Sequence, residues 1–298
     1  MELRQLRYFL KAGELLNFTA AARAVNISQS TLSQQVRQLE EELGTPLFDR
    51  VGKRVLLTEA GRQFAVYARQ TVRSASDGLQ ILRDLAEVKT GELVIGVTYA
   101  LHDLMTATLV SFSTTYPGII VKVLFGTSEE LLEKLETAEL DFLLTFQEEE
   151  LKGDFTGQLL FESRMALVVS AAVRVTDRSS LPLAAVRDLP LALPVTGYNT
   201  RRFLDEAFAR EGIRPRVQVE INDIPTLFDL VRTGQFHTIL TLATTNGQHG
   251  IKAIPIEGAE MYRKAWVVWL NSSYHKKAAT LFCALLLEKA GAAAGAAP

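Results

Sequence analysis

Cysteine is almost absent from this chain of 298 residues: Cys283 stands alone. One thiol cannot form an internal disulfide or a cysteine-based metal cluster, so a redox sensor of the paired-cysteine kind is excluded. Cys283 sits in an apolar run, 281–287, where a small buried hydrophobe is expected. Histidine is scarce too, and His102, His237, His249 and His275 show no metal-ligand spacing. No stretch approaches the roughly 20 apolar residues of a membrane span. The N-terminus carries charge from its second residue, without the apolar core of a signal peptide. A cytoplasmic location is therefore expected. The nucleophile elbow of serine hydrolases, the Walker A loop and the zincin motif are all missing. The chain is not read as an enzyme, and neither a metal nor a cofactor is expected.

A strong excess of one charge is also lacking. The net charge is −2, with 22% charged and 48% hydrophobic residues, an ordinary balance for a globular protein. The distribution is slightly uneven. Residues 1–90 hold 13 Lys and Arg against 10 Asp and Glu, whereas the rest holds 19 against 24. That asymmetry alone is weak evidence for nucleic-acid binding.

The first sixty residues carry more information. Leu6, Phe9, Leu10, Gly13 and Leu16 recur at helical spacing. Thr19 can cap a short second helix, 20–25, whose inner face is Ala21 and Ala22. After Asn26-Ile27, Ser28 can cap a third helix, 29–42, with Leu32, Val36, Leu39 and Leu43 facing inward. Its other face shows Gln29, Ser30, Ser33, Gln34 and Arg37. Two helices joined by a tight turn, the second with a polar face, form the helix-turn-helix pattern. Gln can pair in bidentate fashion with adenine. A plain three-helix bundle with a solvated face fits the same spacing. Residues 49–57 read as two short strands around a turn, a wing that gathers Arg50, Lys53 and Arg54, cations suited to phosphates.

The runs Phe18-Thr-Ala-Ala-Ala, Ser28-Gln-Ser-Thr-Leu-Ser-Gln-Gln-Val-Arg-Gln-Leu-Glu, Pro46-Leu-Phe-Asp-Arg and Leu57-Thr-Glu-Ala-Gly together resemble the LysR-type transcriptional regulators over about sixty ungapped residues. The resemblance implies that Gln29, Ser30, Ser33 and Gln34 face the major groove. It implies that Thr31, Arg37, Arg50, Lys53 and Arg54 hold phosphates. Ser30 and Gln34 depart from the proline and the basic residue that the family often places there. The stretch from Ser28 through the following helix is similar to the branch containing the cyanate-responsive activators.

From Thr58-Glu59 to Lys89 there is no proline, and Phe64, Ala68, Thr71, Ala75, Gly78, Leu82 and Leu85 form a heptad-type seam. A helix there needs a partner for its stripe, and the resemblance implies a homodimer, or a tetramer of two dimers. Beyond Gly91, strands and helices alternate in two sets with apolar strands, which argues for mainly parallel sheets. The tail 291–298 is Ala- and Gly-rich and is expected to fray.

The expected architecture is mixed. A winged helix-turn-helix domain (1–58) is followed by a linker and dimerisation helix (59–90). An α/β effector domain (91–298) completes the chain, with the two-subdomain form of periplasmic binding proteins. The resemblance implies that subdomain I takes about 91–162 and 266–298, and subdomain II about 163–265. Ligands of α/β sheets sit beyond the carboxyl ends of strands. That rule points to Thr98, Tyr99, Ala100, Thr127, Ser128, Thr196, Asn199, Thr200, Asn222 and Asp223. All of these but Tyr99 and Asp223 are the effector-binding candidates, and the resemblance implies cleft positions for Thr98, Ala100, Thr127, Ser128 and Thr196. Each of Ser128 and Thr200 could also be a helix cap and nothing more, and Asp141 a turn residue. Helix N-termini converging on a cleft would favour an anionic small molecule. His102 near the cleft could sense an anion or simply be solvated. Expected partners are double-stranded promoter DNA, a small-molecule effector, further copies of the chain and RNA polymerase. A transport solute-binding protein would fit the C-terminal half alone. An effector-free structural DNA binder would leave that half unexplained.

Overall fold

Helix α1 (Leu3–Leu15) buries Leu6, Phe9 and Ala12 along one face. The computed structural model describes residues 1–51, 54–86, 90–147, 153–175 and 178–295. Helix α2 (Phe18–Ala24) starts at Asn17, not Thr19. The Asn17 side-chain oxygen accepts from the backbone N–H groups of Thr19 and Ala20, reaching two orphan donors that Thr19 itself cannot reach. Ala21 and Ala22 are buried and let α3 (Gln29–Leu43) approach closely. Asn26 turns the chain at φ 57°, a left-handed conformation that asparagine tolerates. Leu32, Val36 and Leu39 face inward, but Leu43 is 37% exposed, because the helix ends at Gly44 before its last turn reaches the core.

Strands β1 (Phe48–Val51) and β2 (Arg54–Leu57) pair antiparallel as the wing. Gly52 and Lys53 lie outside the described residues, as do the side chains of Arg50 and Arg54. Glu40 Oε1 accepts from the N–H groups of Leu47 and Phe48, at 2.7 and 3.0 Å, and so fastens the wing to α3. Phe9, Phe18, Phe48 and Phe64 meet with ring centroids 5.2–5.5 Å apart, each pair adding about 1 kcal/mol to the burial.

Helix α4 (Glu59–Ala86) is 28 residues long. Its first turns belong to this N-terminal unit, where Ala65 and Ala68 are buried and Phe64 and Val72 pack against the core. Gly61 is required there, since a Cβ would stand 2.1 Å from the Leu47 carbonyl oxygen. Two compact units result, Met1–Glu87 and Val88–Pro298.

In the second unit, β3 (Gly91–Thr98) runs parallel to β4 (Ile119–Gly126) and β5 (Phe142–Gln147). A 3-10 turn and α5 (His102–Thr115) connect β3 to β4, and α6 (Ser128–Glu136) connects β4 to β5. Strand β6 (Phe155–Ser170) runs for 16 residues, of which the apolar pattern marks only 165–169. Its exposed first half alternates too weakly to be read as a strand. Next come β7 (Leu191–Pro194), α7 (Asn199–Arg210), β8 (Val217–Ile221), α8 (Ile224–Arg232), β9 (Thr238–Thr241), the short α9 (Leu242–Thr245) and β10 (Ile251–Pro255), a strand the pattern does not reveal. Then β11 (Tyr262–Leu270) and α10 (Lys277–Gly295) close the unit.

The expectation of mainly parallel sheets needs correction. Among the described residues the large sheet has the order β10-β6-β11-β5-β3-β4, with β9 also on β6, and β11 is antiparallel to both β5 and β6. Strands buried on both faces read as apolar runs in either orientation, so the pattern could not tell them apart. The first half of β6 pairs with β11, and its second half with β9 and β10. One strand thus joins two sets of buried cores. One includes Ile95, Phe142, Val267 and Phe282, and the other includes Leu167, Leu193, Phe208 and Ile254. Asp141 does more than fix a turn. Its Oδ2 accepts from Val94 N and from Lys276 Nζ at 2.8 and 2.9 Å, tying β3 to the entry of α10. Helix α10 continues past Gly291 to Gly295 on alanines, the best helix formers. Residues 296–298 lie outside the described residues. No helix described is long and apolar enough to cross a membrane.

Candidate functional site

The polar face of α3 begins with its cap. Ser28 Oγ accepts from Thr31 N and lies 2.8 Å from both Ser30 Oγ and Thr31 Oγ1. Gln29, Ser30, Thr31, Gln34 and Arg37 are exposed, and Ser33 is half-buried. Gln29 and Gln34 make no side-chain hydrogen bond among the described residues, so their amides are available. Arg37 pairs with Glu41 at 2.9 Å, but the pair is exposed and holds the guanidinium only weakly.

In the C-terminal unit the candidate effector residues separate into two groups. Thr127 caps α6 and takes part in a capping box with Glu130. The bonds from Thr127 hold the Glu130 carboxyl below the usual range. Ser128, expected as a cap, is the first helical residue instead. Its buried hydroxyl lies 2.7 Å from Thr145 Oγ1 and accepts from Asn199 Nδ2 at 2.5 Å. Asn199 Nδ2 also donates to Phe146 O, and the residue opens α7, whose cap position is Tyr198 rather than Thr200. Arg202 bridges the same helices, bonding Asn199 Oδ1 at 2.8 Å and Glu129 at 3.3 Å. Behind them Arg263 is 2% exposed, lies over the Phe203 ring at 4.8 Å and donates to the carbonyls of Asn199 and Phe146.

The other candidates are dispersed. Thr98 Oγ1 turns to Leu144 O, Thr196 is exposed, Thr200 is half-buried, and Asn222 offers its carbonyl to Tyr198 OH at 3.0 Å. Ala100 alone of the eight lines a cavity of about 290 Å³ between the β3–α5 connection on one side and α8 and α9 on the other. Tyr99 stacks on both Phe125 and Tyr198, at 5.4 and 5.9 Å, and forms one wall of it. Burial, then Tyr99 and the Glu130 and Asp223 carboxylates, pushes the Tyr198 phenol up.

Sequence reasoning missed Thr145, Phe146, Arg263, Phe125 and Phe228. They come from distant segments that only the sheet order brings together. The one available signal was an arginine inside the apolar strand 262–270. Cys283 is buried, and burial pushes its thiol up, which leaves it unreactive.

Residues 3–62 match the family of bacterial regulatory helix-turn-helix proteins of the lysR type, and residues 86–291 match the LysR substrate binding domain. The HTH-type transcriptional activator IlvY of Salmonella typhimurium is 35% identical over 238 residues, covering 78% of this chain and 80% of its own length. The regulator BsdA of Bacillus subtilis is 28% identical over 293 residues, 95% of this chain and 99% of its own. In fold, the chain is similar to a full-length OxyR variant from Pseudomonas aeruginosa, with a TM-score of 0.78 at 22% identity over 96% of this chain and 98% of that one. With a helix-turn-helix and a substrate binding domain matched in sequence and in this order, the chain belongs to the LysR family of DNA-binding transcriptional regulators.

Proposed function

We propose that the protein binds promoter DNA as a homodimer, or as two dimers, and that a small anionic effector in the C-terminal cleft changes how it does so. The free amides of Gln29 and Gln34 on an exposed helix face carry the DNA part. Ser30 and Ser33 flank them toward the bases, and Thr31, Arg37, Arg50, Lys53 and Arg54 supply phosphate contacts. Residues 1–58 serve as the reading head and 59–90 as the dimer-forming linker. Residues 91–298 serve as the effector domain, with subdomains about 91–162 plus 266–298 and about 163–265. Tyr67 and Leu82, 67% and 66% exposed, lie on a face of α4 that the N-terminal core leaves uncovered, which suits a second copy. Promoter DNA places the protein in the bacterial cytoplasm, with RNA polymerase as a further partner.

An anion suits the meeting point of α6 and α7. Two helix N-termini, the Ser128 hydroxyl, the Asn199 amide and the Arg263 guanidinium converge there. An anion seated between them would replace the Asn199–Ser128 bond and alter the relation of the subdomains about β6. It acts only if it binds the two arrangements unequally. Thr127 caps α6 at this seat, Ala100 lines the cavity, and Thr98, Thr196, Thr200 and Asn222 are further candidates for effector contact.

The decisive experiment is a footprint of the purified protein on DNA upstream of its own gene, with and without small anions. Two protected inverted half-sites, with a footprint or bend that changes on adding an anion, support the proposal. Protection that no anion alters removes the effector part. No binding to any DNA at low salt by folded protein overturns the DNA part.

A further inference from the structure

The cavity beside Tyr99 has a lining unlike that of the anion seat, and neither Ser128 nor Asn199 contributes to it. Its walls are aromatic and apolar, from Tyr99, Phe125 and Phe228, and its rim carries Asp103 and Asp223. Arg232 also reaches the rim, but each of its guanidinium nitrogens already donates to a local acceptor. Nη1 bonds Asp229 at 2.6 Å, Nη2 bonds Gln248 Oε1 at 3.0 Å and Nε bonds the His249 carbonyl at 3.0 Å. Asp229 and Arg232 thus offset each other. Asp223 directs both of its contacts, to Thr226 N and Thr226 Oγ1, through Oδ2. Asp103 meets His102 Nδ1 through Oδ1 at 3.2 Å. One oxygen of each carboxylate therefore has no hydrogen-bond partner among the described residues.

The carboxylates on the rim attract a cation, and Tyr99, Phe125 and Phe228 offer aromatic surface to an apolar body, although the Phe228 ring already has the Arg232 guanidinium 6.0 Å from its centroid. An anion would meet the opposite field, and the charge of Arg232 is already paired with Asp229. A cavity of about 150 Å³ holds a benzene molecule, so 290 Å³ has room for one ring and a short chain.

We propose that this cavity binds a small organic cation, a protonated amine on an apolar body of about one ring. The ammonium would sit between Asp103 and Asp223 and the ring against Tyr99, Phe125 and Phe228. Because the two sides of the cavity come from the β3–α5 connection and from α8, such a ligand would brace the two subdomains against each other. Its regulatory meaning rests on the effector reading above, whereas the binding itself does not.

Calorimetry on the full-length protein tests this with two probes of opposite charge, phenethylamine and phenylacetate. Phenethylamine is expected to bind at least about ten-fold more tightly. Asp223→Asn keeps a good helix cap and is expected to weaken the amine several-fold, as is Asp103→Asn, with unchanged melting temperatures. Tighter or equal binding of phenylacetate, amine affinity indifferent to both substitutions, or no binding of either probe at millimolar concentration would each overturn the proposal. DNA binding is measured on the same samples. Absence of amine binding with DNA binding intact removes the cavity proposal alone. Amine binding by protein that protects no DNA removes the regulator reading alone.

Discussion

Asn199 Nδ2 lies 2.5 Å from Ser128 Oγ, and this contact joins the first turn of α7 to the first turn of α6 across the cleft. The residues are 71 positions apart in the chain. The contact is a direct lock between the two parts that β6 connects, and the helix ends it brings together are the ones an anion would occupy. Asn199→Ala should loosen it at a cost of about 1 kcal/mol, the usual net value of one hydrogen bond. Hydrogen exchange should rise in the first turns of α6 and α7, while DNA affinity without effector stays within a few-fold of the parent. Unchanged exchange there would show that the lock contributes nothing.

The DNA-reading face allows a division of labour to be tested. Gln29→Ala should relax sequence preference, because the exposed amide makes no side-chain hydrogen bond among the described residues and could read a base edge. Arg54→Ala should instead weaken all sequences about equally and lower the slope of log affinity against log salt by about one. Binding titrations on specific and random DNA at several salt concentrations separate the two. Identical behaviour of the two variants would contradict the assignment.

Helix α4 offers a test of assembly. The seam expected from Phe64 and Ala68 is spent on the protein's own N-terminal core, so the face for a partner starts further along. Leu82→Lys should therefore shift the mass measured by light scattering from dimer to monomer and reduce DNA affinity by more than ten-fold. Gly78→Cys should crosslink symmetrically, since the space around Gly78 is open and the buried Cys283 does not compete.

Gly61→Ala is the sharpest packing prediction. The added methyl would meet the Leu47 carbonyl oxygen, a backbone atom that cannot swing aside. A loss of about 3 kcal/mol, the upper part of the range for overpacking, should appear in the denaturation of the N-terminal unit. A loss under about 0.5 kcal/mol would mean that the wing yields.

Acid sensitivity has an assignable contributor. Burial lowers the His237 value below its ordinary 6.5, so the folded protein holds this ring neutral. The unfolded chain then binds the extra proton first. The stability this provides is fully present above about pH 6.5 and is lost as the pH falls toward the folded value. His237→Gln cannot take up that proton. Its melting temperature should fall less between pH 7.5 and 5.5 than the parent's does, whatever the difference between the two at pH 7.5.

Much of the N-terminal unit is local in origin and was therefore legible from residues alone. Caps, the alanine face of α2 and the polar face of α3 are all written within a few positions of each other, and helical periodicity exposes them. The cap at Asn17 was displaced by two residues because Asn and Thr compete for the same role. In the second unit, strand and helix positions were largely readable, but strand direction was not. The cleft was less legible still. Arg263, Phe146 and Ser128 meet only because β11 inserts antiparallel beside β5 and β6. Tyr99 reaches Tyr198 and Phe125 for a similar reason. By itself the sequence determined the helix-turn-helix, the long helix and the family. Only the tertiary structure decided which hydroxyls lock the subdomains and which carboxylates rim the cavity. Hydrogen bonds and charge pairs across a cleft depend on sheet order and register, which leave no periodic trace along the chain.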